Sequence, residues 1–158
     1  LVEKLCELDP AFTAPEGKRE MQDVSFNDDL INIKFGFDKK GQPNMVAFNR
    51  LSTRYLKNEI DSYYIISIDG KTNNVTFFDL YQQLPYTNYN VGTGQVMLKE
   101  RQFFSQFNQK KDYSISKVSI IHTLRQMKVQ SHNDHITLKE QQLKKSLELF
   151  DKTLNQYC

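Results

Sequence analysis

Apolar and polar positions alternate in two short runs near the start of the chain, MQDVSF and LINIKF, on either side of the polar triplet NDD. A period of two around a polar turn is the signature of a β-hairpin, here over residues 21–35. Successive strand side chains point to opposite faces, so Val24 and Phe26 share one face while Asp23 and Ser25 take the other. In the second run Ile31, Ile33 and Phe35 form the apolar face, expected to meet the core, and Asn32 and Lys34 lie opposite.

Around this hairpin the pattern changes period. LVEKLCELD (1–9) fits a short helix with Val2, Leu5 and Leu8 on one side, ended by Pro10 and Pro15. GFDKKGQPN (36–44) reads as a loop, and residues 45–60 as a helix with the stripe Phe48, Leu51, Tyr55 and with Arg50, Arg54 and Lys57 elsewhere on its surface. SYYIISID (62–69) is the clearest strand; the turn-forming DGKTNN and then VTFFDLY (75–81) make an antiparallel partner. The stretch from Gln82 runs as loop into a short strand at 95–98, and residues 116–127 fit a strand or a helix. NDHIT reads as a turn. Beyond it, Leu143, Leu147, Phe150 and Leu154 recur at spacings of four, three and four, predicting a helix over 138–156 with Thr137 as N-cap and Glu140 completing a capping box. Strands and helices in this order predict one α/β (α+β) domain over residues 1–158, a mixed β-sheet flanked by helices.

A chain of 158 residues with 39% apolar residues, eleven Phe and eight Tyr can bury a core without metals or disulfides. Its two cysteines, Cys6 and Cys158, sit far apart in sequence with no CxxC spacing, which makes a reducing, cytoplasmic setting the expectation. No long apolar run suggests a membrane span. The opening LVEKLCELD lacks Met, as a fragment or a trimmed N-terminus would.

Net charge is +2, too small to identify a polyanion partner, but its distribution is uneven. Residues 99–128 carry seven Lys or Arg (Lys99, Arg101, Lys110, Lys111, Lys117, Arg125, Lys128) against Glu100 and Asp112. Residues 18–29 carry Glu20, Asp23, Asp28 and Asp29 against Lys18 and Arg19. An acidic pocket beside a basic surface suits a metal-using enzyme on a phosphate backbone, and also occurs in ordinary proteins.

The hairpin offers two readings. Asp23 with Asn32 and Lys34 could hold a hard cation and stabilise charge during phosphodiester hydrolysis, because such ions need few carboxylates and a nearby lysine relieves the transition state. Alternatively the face is simply exposed, and a charge in INIKF guards the strand against edge-to-edge pairing.

QDVSFNDDLINIKFGF resembles the active-site hairpin of type II restriction endonucleases of the PD-(D/E)xK nuclease superfamily, which place an aspartate on one strand and an acid-x-lysine on the next. The resemblance implies a restriction-endonuclease-like fold, with YYIISIDG as the central strand after the first crossover helix. It implies a Mg²⁺-dependent endonuclease that cuts duplex DNA as a homodimer. Asp23 would be the first acid, Asn32 the acid position and Lys34 the lysine, with Glu7 or Glu3 from the preceding helix adding a carboxylate. Asp23, Asn32 and Glu7 would then be the metal ligands. Asn32 departs from the family's Asp or Glu, and Gln22 stands at the motif's proline; Glu20 is a further carboxylate that could complete the site. A binding module that keeps the nuclease-like fold without catalysis is the alternative.

In YTNYNVGTGQVMLKE, Gly92 and Gly94 permit a tight turn and close backbone approach to a ligand. Tyr89, Asn90, Thr93 and Gln95 offer groups that contact phosphates and base edges, and Lys99, Arg101, Arg50 and Arg54 add charge, so these eight are the candidate DNA contacts. The loop lacks GxxxxGK[ST], so no nucleotide P-loop is present. His122, His132 and His135 read as surface residues rather than as a zinc site.

Overall fold

The computed structural model describes residues 1–17, 20–36, 44–70, 72–98 and 114–156. After the N-terminal helix α1 (Val2–Leu8), strands β1 (Phe12–Thr13), β2 (Val24–Phe26) and β3 (Asp29–Gly36) form an antiparallel meander. Asn27 and Asp28 join β2 to β3, both at positive φ (46° and 75°), the two-residue turn whose twist matches the strands it connects.

β4 (Asn44–Ala47) leads directly into α2 (Phe48–Leu56), which carries the chain across to β5 (Tyr64–Asp69). β5 pairs parallel with β3, and β6 (Val75–Asp79) pairs antiparallel with β5. Parallel neighbours need a crossover, and α2 lies on it. The resulting mixed sheet has five strands in the order β1-β2-β3-β5-β6. After the 3-10 turn Leu84–Tyr86, β7 (Thr87–Asn90) and β8 (Gln95–Leu98) join β4 in a three-stranded sheet, order β4-β8-β7. α3 (Lys117–Leu154, 38 residues) packs its first half on β7 and the 3-10 turn.

The main core fills the space between one face of the large sheet, α2, the small sheet and the start of α3. Leu30, Ile65 and Phe78 come from the large sheet, Tyr63 from the residue just before β5, Phe48, Leu51 and Tyr55 from α2, Met45, Val46 and Val96 from the small sheet, and Ile120 and Leu124 from α3. The Phe48–Leu51–Tyr55 stripe is buried as its spacing predicts. The other face of the large sheet buries Val24 and Ile31 but leaves Phe35, Val75 and Phe77 open at 60, 62 and 53%.

Expectations are corrected at residues 45–47, around Thr137 and in the choice of core face, and the loop expected from Gln82 to the strand at 95–98 contains the 3-10 turn and β7. Residues 45–47 belong to a strand, not to the start of a helix, because β8 supplies a ladder that local propensity does not reveal. Thr137 is no cap: α3 runs unbroken through NDHIT from its true N-cap, Ser116, whose side chain accepts from the N–H of Ser119 (3.2 Å). Residues 116–127, open between strand and helix by their pattern, thus open this helix. The main core lies on the Leu30–Asn32 face of β3, not on the Ile33–Phe35 face. Alternation identifies residues that share a face, but only the packing of α2 decides which face is covered more deeply. The loop expected at 36–44 falls mostly outside the described residues.

Candidate active site

Asp23 immediately precedes β2 and continues its ladder. Its N–H donates to Ile31 O (2.9 Å), and its own Oδ2 accepts from the N–H of Ile33 (2.7 Å). A side-chain oxygen thus stands where the next backbone carbonyl of the strand would be. The carboxylate is fixed at the end of β2 while the residue stays exposed.

Asn32 is buried, with 7% of its surface accessible. Its Nδ2 donates to Met21 O (3.0 Å) and to Tyr63 Oη (3.1 Å), and the Tyr63 hydroxyl itself donates to Met21 O. The amide therefore ties the chain before β2 to β3 and β5. Its Oδ1 is buried with no hydrogen-bond partner among the described residues, a costly state that a ligand at this point would relieve. Burial holds the Tyr63 hydroxyl well above the ordinary tyrosine range, so it remains a neutral donor. This network of Met21, Asn32 and Tyr63 is the part of the site that residue pattern did not disclose. Its signal was a polar residue two positions before Lys34 in a run otherwise suited to burial.

Lys34 lies two residues further along β3 on the same face. In register with it are Ser67 on β5 and Thr76 on β6, whereas Asn32 is in register with the apolar pair Ile65 and Phe78. Small polar neighbours, both buried, leave room for the lysine stem. Desolvation by burial lowers the Lys34 pKa from its usual range, and the negative charge of Asp23 acts in the opposite direction. Lys34 and Asn32 line a pocket of about 210 Å³ with Glu20, Met21, Met45, Val46, Ala47, Arg50 and Gln95. The pocket therefore opens between the hairpin, β4, the first turn of α2 and β8.

The remaining candidates distribute unevenly. Arg50 and Gln95 reach the pocket. Glu7 is an exposed residue of α1, paired with Lys4 at 2.9 Å, and does not line it. Glu20 does. Arg54 pairs with Glu59 (3.2 Å). Tyr89 is engaged inside the fold: its hydroxyl shares a hydrogen bond with His135 Nε2 (2.8 Å), and its ring meets Phe48 edge-on at 5.7 Å. The carboxamide of Asn90 accepts from the N–H groups of Gly92 (3.0 Å) and Thr93 (3.3 Å), an Asx turn that shapes the loop. Lys99 and Arg101, with most of the basic stretch, lie outside the described residues; Lys117 binds Asn58 (2.8 Å) and Lys128 binds Asn49 (2.7 Å). His122 and His132 are exposed on α3, and His135 is half-buried against Tyr89.

Among the described residues no three of His, Cys, Asp and Glu converge to hold a metal. Of the oxygen donors here, the Glu20 carboxylate and the Asn32 amide belong to residues that line the pocket, while Asp23 does not line it but is close enough for its charge to act on Lys34. Such a set fits Mg²⁺, which binds through one or two carboxylates and keeps much of its water; it does not fit zinc. No helix among the described residues is long and apolar enough to cross a membrane. No protein-family model matches the chain, and no curated protein matches it.

Proposed function

We propose that the protein is a Mg²⁺-dependent endonuclease that hydrolyses phosphodiester bonds of duplex DNA, of the type II restriction kind. The observation that carries this reading is a partly desolvated lysine that lines the pocket and feels the charge of a fixed aspartate, at the open end of a hairpin whose second strand pairs parallel with the strand after a crossover helix. Asp23, Glu20 and Asn32 Oδ1 are the groups that would hold the ion. When bound, Mg²⁺ supplies charge relief on the phosphate and a more acidic water.

The chain's own residues account for the rest. Lys34 directs a partly desolvated ammonium at a non-bridging phosphate oxygen, where charge grows as the phosphorus becomes five-coordinate. The charge of Asp23 opposes the lowering that burial imposes on the Lys34 pKa, and the Ile33 N–H keeps Asp23 in place. Arg50 and Gln95 at the pocket give the nucleic acid a cationic and an amide contact that position it without reading sequence. Duplex cutting asks for one copy of the site per strand, hence a homodimer.

A non-catalytic nucleic-acid-binding module is favoured by one observation: the amide donors of Asn32 are both consumed in the fold, so this position works structurally as it stands. Incubation of the protein with supercoiled plasmid in Mg²⁺ or Mn²⁺ tests the two readings. Nicked and linear products that chelation abolishes support the nuclease. Salt-dependent binding with no product in either ion supports the module.

A further inference from the structure

The first half of α3 buries Ile120, Leu124 and Ser131 against the domain, with Met127 half-buried beside them. Residues 139–154 are all exposed, so the distal half of the helix touches little of its own chain. Alone, a helical extension of this length is marginal in water. Yet its surface is not uniformly polar. Leu143, Leu147, Phe150 and Leu154 are 61, 52, 68 and 60% exposed, and Val129 and Ile136, at 54 and 45%, extend the same line at seven-residue steps. At about 100° per residue this line lies some 140° round the helix from the face docked on the domain. It is a separate apolar seam, with the spacing of a coiled coil.

We infer that residues 143–154 of α3 pair antiparallel with the same residues of a second copy of this chain, the stacked layers being Leu143 on Leu154 and Leu147 on Phe150, each twice by symmetry. Charge selects this register. Antiparallel pairing that aligns Leu147 with Phe150 of the second copy brings Lys144, on one flank of the seam, opposite Asp151. Sliding the pair by one heptad sets Lys144 against Lys144 and moves Glu140 into the apolar seam. A parallel pair would stack Glu140 on Glu140 and bring Lys139 near Lys144. The pairing leaves all four apolar residues covered and no charge in the seam. The inference rests on α3 alone and stands apart from the nuclease reading.

An interface of four layers falls at or below the small end of specific interfaces, about 1,200 Å², so association in the micromolar range is expected. Sedimentation velocity of the full chain from low to high micromolar concentration should show a monomer–dimer equilibrium, with helicity by circular dichroism rising as dimer forms. Phe150→Asp should leave a folded monomer. Lys144→Asp, which sets like charges opposite each other at two symmetric places, should weaken the dimer about tenfold, and the exchange Lys144→Asp/Asp151→Lys should restore it. A chain that stays monomeric throughout overturns the inference, whatever its activity on DNA. So does a dimer indifferent to these substitutions.

Discussion

Asn32 shows why one residue can look like a departure from a motif and still be required. Both hydrogens of its amide are donated, to Met21 O and Tyr63 Oη. An ionised carboxylate at this position would oppose the Met21 carbonyl oxygen with another acceptor. Asn32→Asp is therefore expected to lower unfolding free energy by about 1–3 kcal/mol, read by urea denaturation at neutral pH, even though an aspartate would match the nuclease pattern better. Burial around Asp79 has a different consequence. Its Oδ1 accepts from the N–H groups of Tyr63 (3.2 Å) and Tyr81 (3.0 Å), but desolvation dominates and raises its pKa from 3.8 to about 6. The folded state thus holds this proton more tightly than the unfolded chain. Its contribution to stability is fully present below pH 4 and is lost as pH rises through about 6. Asp79→Asn keeps the accepting oxygen and removes the titration. The stability difference between the two proteins should change by about 2–3 kcal/mol between pH 4 and pH 7, in the direction of relative loss for wild type at the higher pH.

At the scale of elements, what could be read depended on whether the signal was local. The hairpin, β5, β6 and the buried stripe of α2 follow from alternation and helical spacing within their own segments. β4 and β7 do not. NMVA runs without a break into a good helical stripe, and TNYN is polar; each is a strand because β8 lies beside it. The uninterrupted α3 was hidden for the opposite reason, since QSHNDHIT has weak helix formers but is held where Ser131 and His135 meet the domain. The turn of the hairpin offers a direct check on local reasoning. Asp28 sits at φ 75°, where a side chain is strained. Asp28→Gly should stabilise the protein by roughly 0.5–1 kcal/mol in thermal or urea unfolding, without altering the pocket.

For the whole molecule, a mixed sheet with flanking helices was legible because its strands carry their own patterns, and the topology places β5 beside β3 as a crossover through α2 requires. The candidate site was legible in part. Asp23, Asn32 and Lys34 could be chosen from the hairpin, whereas Glu20 could be favoured over Glu7 only once the chain before β2 was seen folded against the pocket. The network through Tyr63 joins residues more than thirty positions apart, a relation that no local pattern carries. The proposed function requires Lys34 to be placed for chemistry rather than for stability. The measurement that addresses it most directly is a plasmid-cleavage time course in Mg²⁺ for wild type and Lys34→Met, with unfolding free energy determined on the same samples. Replacing a partly desolvated ammonium with an apolar side chain of similar length should leave stability unchanged or up to about 1 kcal/mol higher. Cleavage by Lys34→Met should fall by on the order of a hundredfold or more, as when a group that acts only on the transition state is removed. Cleavage at the wild-type rate by Lys34→Met, or loss of cleavage only in step with loss of folded protein, would contradict it.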